Sequence, residues 1–321
     1  MSKTIAVILS MLWIGSAAAQ DAYPSKPIRL IVPYGPGGVS DSVGRVLAMG
    51  LTKSMNQSVF VENRGGAGGT IGGNLAAQSA PDGYTILLTS PPMTAVAPAL
   101  IKNMPYNVST DLIPVSTIIT TPNILVVNLD LPVKTIHELI AYGKGAGKGK
   151  LSYGSSGPGS TGHVSATILL GAAGIEMEHV PYKTSAAAFP DVISGRVSMA
   201  FDSLPSTIGF VRGGKVRPIL VMSEKRSSLL PEVPTAAESG FPAATMNFWM
   251  GIEAPARMPQ PVLEKLAAGL KAMMESDEVR KQMAQFGAEP FYTTPAEFKK
   301  IRDADIQKYG KLVKEMGLKQ D

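Results

Sequence analysis

Two glycine-rich stretches are places where the backbone itself can do chemistry. The first is Tyr34-Gly35-Pro36-Gly37-Gly38-Val39-Ser40-Asp41, the second Gly154-Ser155-Ser156-Gly157-Pro158-Gly159-Ser160-Thr161-Gly162. Glycine lacks a Cβ, so backbone N–H groups there can approach a ligand closely. Each stretch leads into a helical pattern, and an open helix N-terminus adds the positive end of the helix dipole. Together these favour an anion. One such loop alone is better explained as an ordinary strand-to-helix turn. Two of them, each at the carboxyl end of a strand, are placed to face one cleft. Ser40 or Asp41 is the expected N-cap of the first helix.

Competing chemistries lack their parts. Gly157, Gly159 and Gly162 formally match a dinucleotide fingerprint, but the acidic residue that should end the next strand is missing. Glu176 and Glu178 stand at that strand's start instead, so no nucleotide cofactor is expected. Gly143 to Lys150 has neither the spacing nor the Ser or Thr of a phosphate-binding loop. The three histidines, His137, His163 and His179, have no metal-ligand spacing, and there is no cysteine. No Gly-x-Ser-x-Gly elbow is present. His163, just inside the second helix, either meets a ligand or packs internally. His137 reads as a surface helix residue and His179 as a strand residue beside the cleft. The pattern predicts binding without catalysis, with no catalytic residue, cofactor or metal.

The elements that must position the loops alternate. Ile28 to Pro33 reads as a buried strand, and Val43, Val46, Leu47 and Leu51 give Asp41 to Met55 a helical stripe. Strands at Ser58 to Glu62 and Tyr84 to Thr89 flank a helix at Thr70 to Ala80. The rhythm resumes with helix Thr135 to Tyr142, strand Leu151 to Tyr153 and helix Thr161 to Ala173. Strand Glu178 to Pro181, helix Ser185 to Ser194, and strands Val197 to Phe201, Arg217 to Met222 and Asn247 to Glu253 follow. Pro259 to Gly317 reads as almost all helix, with Pro261 in a first turn and Gly287 and Gly317 as stops. This is an α/β chain with mixed, mostly parallel sheets in two lobes. Lobe 1 is expected to comprise residues 22–122 and 247–321, and lobe 2 residues 123–246. The chain would cross near Ile118 to Leu125 and again near Thr245 to Glu253, making a hinged pair with a cleft.

Charged residues are only 17% of the chain, and 45% is hydrophobic, which describes a globular protein. The net charge of +5 suits either an anionic ligand or plain surface solvation. No basic run tracks a phosphate backbone, so nucleic acid is not an expected partner. Lys3, the apolar run Thr4 to Gly15 and Ala17-Ala18-Ala19 read as a signal peptide cleaved after Ala19. That run is shorter than the roughly 20 residues of a membrane span. An exported, freely diffusing and monomeric protein is expected.

The chain resembles the extracytoplasmic solute receptors of the tripartite tricarboxylate transporter system, the Bug group. The resemblance rests on ordered motifs from Tyr23 to the C-terminus. They include Tyr23 to Pro33, Gly37-Gly38 with Asp41, Val61-Glu62-Asn63-Arg64 with Gly66-Ala67-Gly68-Gly69, and Pro81-Asp82-Gly83-Tyr84-Thr85. Pro105-Tyr106, Tyr153-Gly154-Ser155, His179-Val180-Pro181-Tyr182, Leu230 to Thr235 and Ala254-Pro255-Ala256 continue them. The resemblance implies a periplasmic type II Venus flytrap that holds a carboxylate between its lobes and delivers it to membrane transporter subunits. It also implies that amides of the first loop grip one carboxylate while Asp41 orders that loop. Ser155, Ser156, Ser160 and Thr161 would close from the other lobe. Ser90, Tyr182, Lys183, Thr184, Ser185, Ala186 and Asp202 would line the remaining wall. Arg64 is left outside the site as part of a structural turn. Tyr34 stands where Phe is usual, Gly35-Pro36 replaces a more Ala-like pair, and Thr184-Ser185 replaces a Gly-containing turn. The choice between aliphatic and aromatic carboxylates therefore stays open. Tyr34 and Phe248 either flank an aromatic ring or, for Phe248, pack in the core. A receptor reporting to a sensor kinase and an exported enzyme on the same fold are the alternative functions.

Overall fold

The computed structural model describes residues 23–158, 160–182, 184–245, 247–285 and 288–315. The expected signal peptide and the stops at Gly287 and Gly317 lie outside them.

The first half is laid down in chain order as β1 (Ile28–Val32), α1 (Val39–Met55), β2 (Val59–Asn63), α2 (Thr70–Ala77) and β3 (Thr85–Thr89). A π-helical turn, Pro92–Val96, runs into the short α3 (Ala97–Leu100), and α4 (Val108–Asp111) precedes β4 (Leu112–Val127). The second half holds α5 (Ile136–Lys144), β5 (Ser152–Ser155), α6 (Thr161–Ala173), β6 (Glu178–Pro181) and α7 (Phe189–Ile193). It continues with β7 (Met199–Ser203), α8 (Leu204–Arg212) and β8 (Arg217–Val221). The chain then returns through β9 (Asn247–Pro255) to α9 (Gln260–Met274), α10 (Asp277–Gln285), β10 (Glu289–Pro290) and α11 (Pro295–Glu315).

The strands run in the order β2-β1-β3-β9-β4-β7-β5-β6, with β10 and β8 also paired to β4. Ladders at the two ends, β1 with β2 and β3, and β5 with β6 and β7, are parallel, as short βαβ crossovers require. Every antiparallel ladder involves β4 or β9. β4 changes partner midway. Leu112 to Pro122 pair with β9, and Asn123 to Val127 pair with β7. One strand thus belongs to both halves. The antiparallel share is larger than the sequence pattern conveys, because the residues that make it were not readable as one strand.

Each half has its own core, and a smaller buried cluster of Val96, Leu100, Val164 and Tyr309 joins the two. Val43, Leu47 and Leu51 of α1 meet Leu266 and Leu270 of α9 over one face of the first sheet, all buried. Ile31, Leu87 and Tyr106 fill the opposite face. In the second half Leu125, Tyr153, Leu169 and Phe201 pack on one face, and Ile124, Phe189 and Leu204 on the other. The apolar stripe read from α1 is buried, so periodicity located that element correctly.

Candidate functional site

The first loop leaves β1 and enters α1 without a side-chain cap. Gly38 is the N-cap, and no side chain bonds the first turn. This corrects the expected cap at Ser40 or Asp41, since the helix begins at Val39 and both residues lie inside it. Asp41 does other work. Buried at 4% exposure, its Oδ2 accepts from the Gly37 amide and Arg45 Nε, each at 3.0 Å. Its Oδ1 accepts from Asn63 Nδ2 at 3.0 Å, and the same Nδ2 donates to the Tyr34 carbonyl at 3.1 Å. Burial alone would raise this carboxyl, but the bonds from Arg45, Gly37 and Asn63 outweigh it and hold the pKa below the usual range. Gly37 has φ +84°, a left-handed backbone that aims its N–H back at Asp41 and that glycine adopts without strain. The loop is thereby fixed from beneath, and the first-turn amides of α1 are left without a side-chain partner.

The second loop leaves β5 and enters α6, whose N-cap Ser160 accepts from the His163 amide at 3.3 Å. Ser155, 1% exposed, is the hub beneath it. Its Oγ lies 2.8 Å from His179 Nε2 and accepts from the Gly157 amide at 3.2 Å and the Ser160 hydroxyl at 3.4 Å. His163 stacks on His179 with ring centroids 4.3 Å apart, and His179 stacks in turn on Tyr153. A Cβ on Gly162 would stand 2.1 Å from the Phe201 carbonyl, so only glycine lets α6 press this closely on β7.

Both loops open on one cavity of about 890 Å³. Tyr34, Gly35, Gly37, Gly38 and Ser40 line it from the first loop, and Ser156, Ser160 and Thr161 from the second. Tyr182, Thr184 and Asp202 complete the predicted residues that reach it. Tyr34 also points its hydroxyl toward Ser90 Oγ at 3.4 Å, and burial raises its pKa. Tyr182 donates to Asp191 Oδ2 at 2.7 Å, and burial, with Asp191 beside it, pushes its pKa up to about 12.

Four of the expected site residues, Asp41, Ser90, Ser155 and His163, are buried and are not among the residues that line this cavity. Asp41 holds the first loop, the role expected of it. Pro36 is exposed and is likewise not part of the lining. His163 stacks on His179. Lys183 and Gly159 lie outside the described residues, as do the side chains of Ser185 and Ala186.

The residue reading missed a third loop, Gly65 to Gly69, and the apolar lining residues Val96, Leu100, Ile101 and Met250. Phe248 lines the same cavity. The glycines of the third loop were a visible signal, whereas apolar wall residues look like core in any sequence. Among the described residues no group of three or more His, Cys, Asp or Glu is arranged to hold a metal ion. No helix of the described residues is long and apolar enough to cross a membrane.

Two α/β halves joined through shared strands, with a cleft lined by loops from both, are the architecture of solute-binding proteins, and solved periplasmic binding proteins share the fold. The periplasmic binding protein BugD matches with TM-score 0.81 and 33% identity over 93% of this chain and 100% of its own. An R. palustris protein solved with adipate matches with TM-score 0.84 and 33% identity, covering 92% of this chain and 99% of that one. MatC of Rhodopseudomonas palustris, solved with bound malate, matches with TM-score 0.79 and 26% identity over 91% and 100% of the two chains. The protein BugT of Bordetella pertussis is 34% identical over 99% of both chains. Residues 43–318 match the family model described as the tripartite tricarboxylate transporter family receptor. The chain belongs to that family.

Proposed function

We propose that this protein is a periplasmic receptor that captures a small carboxylate between two lobes and hands it, chemically unchanged, to membrane subunits of a tripartite transporter. Residues 1–19 serve as the cleavable export signal in this reading. Lobe 1 comprises residues 22–122 and 247–321, and lobe 2 residues 123–246. The observation that carries the reading is the first turn of α1. It has no side-chain cap, opens on the cavity, and faces the Ser156, Ser160 and Thr161 loop of the other half. Amides and hydroxyls of this kind hold an anion without needing a cationic side chain. Relatives solved with adipate and malate support a carboxylate as the ligand class.

Titration calorimetry against a panel of aliphatic and aromatic carboxylates tests the proposal. At least one should bind, and Asp41→Ala should weaken that binding tenfold or more by releasing the first loop, since hydrogen bonds to a charged group contribute roughly 1.5–3 kcal/mol each. Silence across the whole panel would refute carboxylate capture. Recovery of a transformed ligand would refute delivery without chemistry.

A further inference from the structure

Helix α6 is apolar on two sides. Ala166, Leu169, Leu170 and Ala173 face the core of their own half, in one cluster with Tyr153 and Phe201. Thr161, Val164 and Ile168 are spaced as one stripe along the other side of the helix. There Val164, 1% exposed, enters a buried cluster whose other members all belong to the first half. They are Ala95 and Val96 of the π-helical turn, Leu100 of α3, and Tyr309 and Val313 of α11. Ile168 packs against the same cluster.

Two members of that cluster have a second role. Val96 and Leu100 line the ligand cavity, whereas Val164 is not among the lining residues. The apolar contact between the halves therefore lies beside the cavity. Thr161, at the start of α6, lines that cavity from the second half. One rigid helix thus carries both a ligand-facing residue and the apolar pair. A movement that brings Thr161 toward a ligand held by α1 also slides Val164 and Ile168 further across α3. Ligand contact and apolar contact between the halves grow together.

Resting on capture between the halves, we infer that Val164 and Ile168 form a latch. They are positioning residues that set ligand affinity from outside the cavity, by burying apolar surface against α3 and α11 as the cleft closes. Burial of apolar surface stabilises whichever form buries more of it. A captured ligand leaves only after the latch has parted, so the effect falls on dissociation and not on encounter.

The test uses the full protein, with succinate, adipate and benzoate as probes in calorimetry and stopped-flow binding. Val164→Ala should weaken every probe that binds by about tenfold, the effect of two apolar carbons lost from a buried site. The loss should appear as faster dissociation at an unchanged association rate. Ile168→Ala should act in the same direction. Leu169→Ala, on the opposite face of α6, is the control, and should lower the melting temperature while leaving affinity unchanged. A merely structural Val164 would behave as Leu169 does. Unchanged affinity in Val164→Ala overturns the latch and leaves carboxylate capture standing. Tighter binding overturns it too, because the contact would then favour the open form. Small-angle scattering without any probe reads the latch independently. Val164→Lys, which cannot seat a charge in this cluster, should have a larger radius of gyration than the wild type, and an equal radius overturns the latch. If no probe binds, carboxylate capture loses its support while the scattering comparison still decides the latch.

Discussion

His163 and His179 stack behind the second loop, and their burial has a consequence for pH. Desolvation first, and the neighbouring His179 second, lower the His163 pKa from 6.5 to about 4. Burial also lowers His179. In the unfolded chain His163 takes up its proton near pH 6.5, while in the folded protein it resists until about 4. The folded state binds fewer protons through that window. Stability is therefore complete above about pH 6.5, falls as the pH drops toward 4, and levels off below for this residue. The window is distinct from that of Asp41, whose lowered pKa costs stability only at still more acidic pH. Urea midpoints measured from pH 7 to pH 4 should decline, and His163→Gln should flatten the decline. The slope is the readout, because losing the stack also changes the absolute stability. An unaltered slope would mean that His163 takes no part.

At the scale of elements, the parts legible in the sequence were those with a local signature. The stripe of α1, the short apolar β1 and β3, and the two glycine-rich turns were readable because period and glycine placement are local properties. β4 was not readable as one 16-residue strand. Pro114 and Pro122 interrupt its pattern; the ladder with β9 shifts register between Pro114 and Ser116 and between Thr117 and Ile119, whereas Pro122 pairs in register with Asn247. Helix α8 was missed too; Pro205 stands in its first turn, where proline is tolerated. In the site the loops were legible and their supports were not. That Ser155 and His163 face inward depends on His179, which comes from a different strand. The Arg302 pairing is the extreme case. This side chain of α11, 1% exposed, donates from Nη1 to Glu253 Oε1 of β9 at 3.1 Å and to the Val108 and Leu112 carbonyls at 3.3 Å. Nothing local in the sequence announces a buried arginine. Removing one partner of a buried ion pair strands the other, which costs about 3–5 kcal/mol. Arg302→Met should destabilise the protein by about that amount in denaturant unfolding. A loss under about 1 kcal/mol would show that α11 docks by other means, such as Trp249, whose Nε1 donates to Asp305 Oδ2 at 2.6 Å.

For the whole molecule, the placement of the cavity implies motion. Its lining comes from both halves, each half has a core of its own, and a small buried cluster of Val96, Leu100 and Val164 joins them, so closure must slide that contact. β4 passes from one half into the other, changing partners between Pro122 and Asn123. A pivot there is cheap, because few ladder bonds change when the halves swing, and hinge closure absorbs its change in a few residues. A ligand held by α1 amides on one side and by the Ser156 to Thr161 loop on the other gains contacts only when the halves approach. It must therefore favour the closed form by the free energy of the added contacts. Two measurements follow from that one coupling. Small-angle scattering should show a smaller radius of gyration at saturating ligand. At a hundredfold excess over Kd the same ligand should stabilise the fold by about 2.7 kcal/mol, seen as a higher melting temperature. The stabilisation alone is expected of any binder. The compaction is not, so a raised melting temperature with an unchanged radius would mean that the cleft is preformed and that its two loops grip without closing.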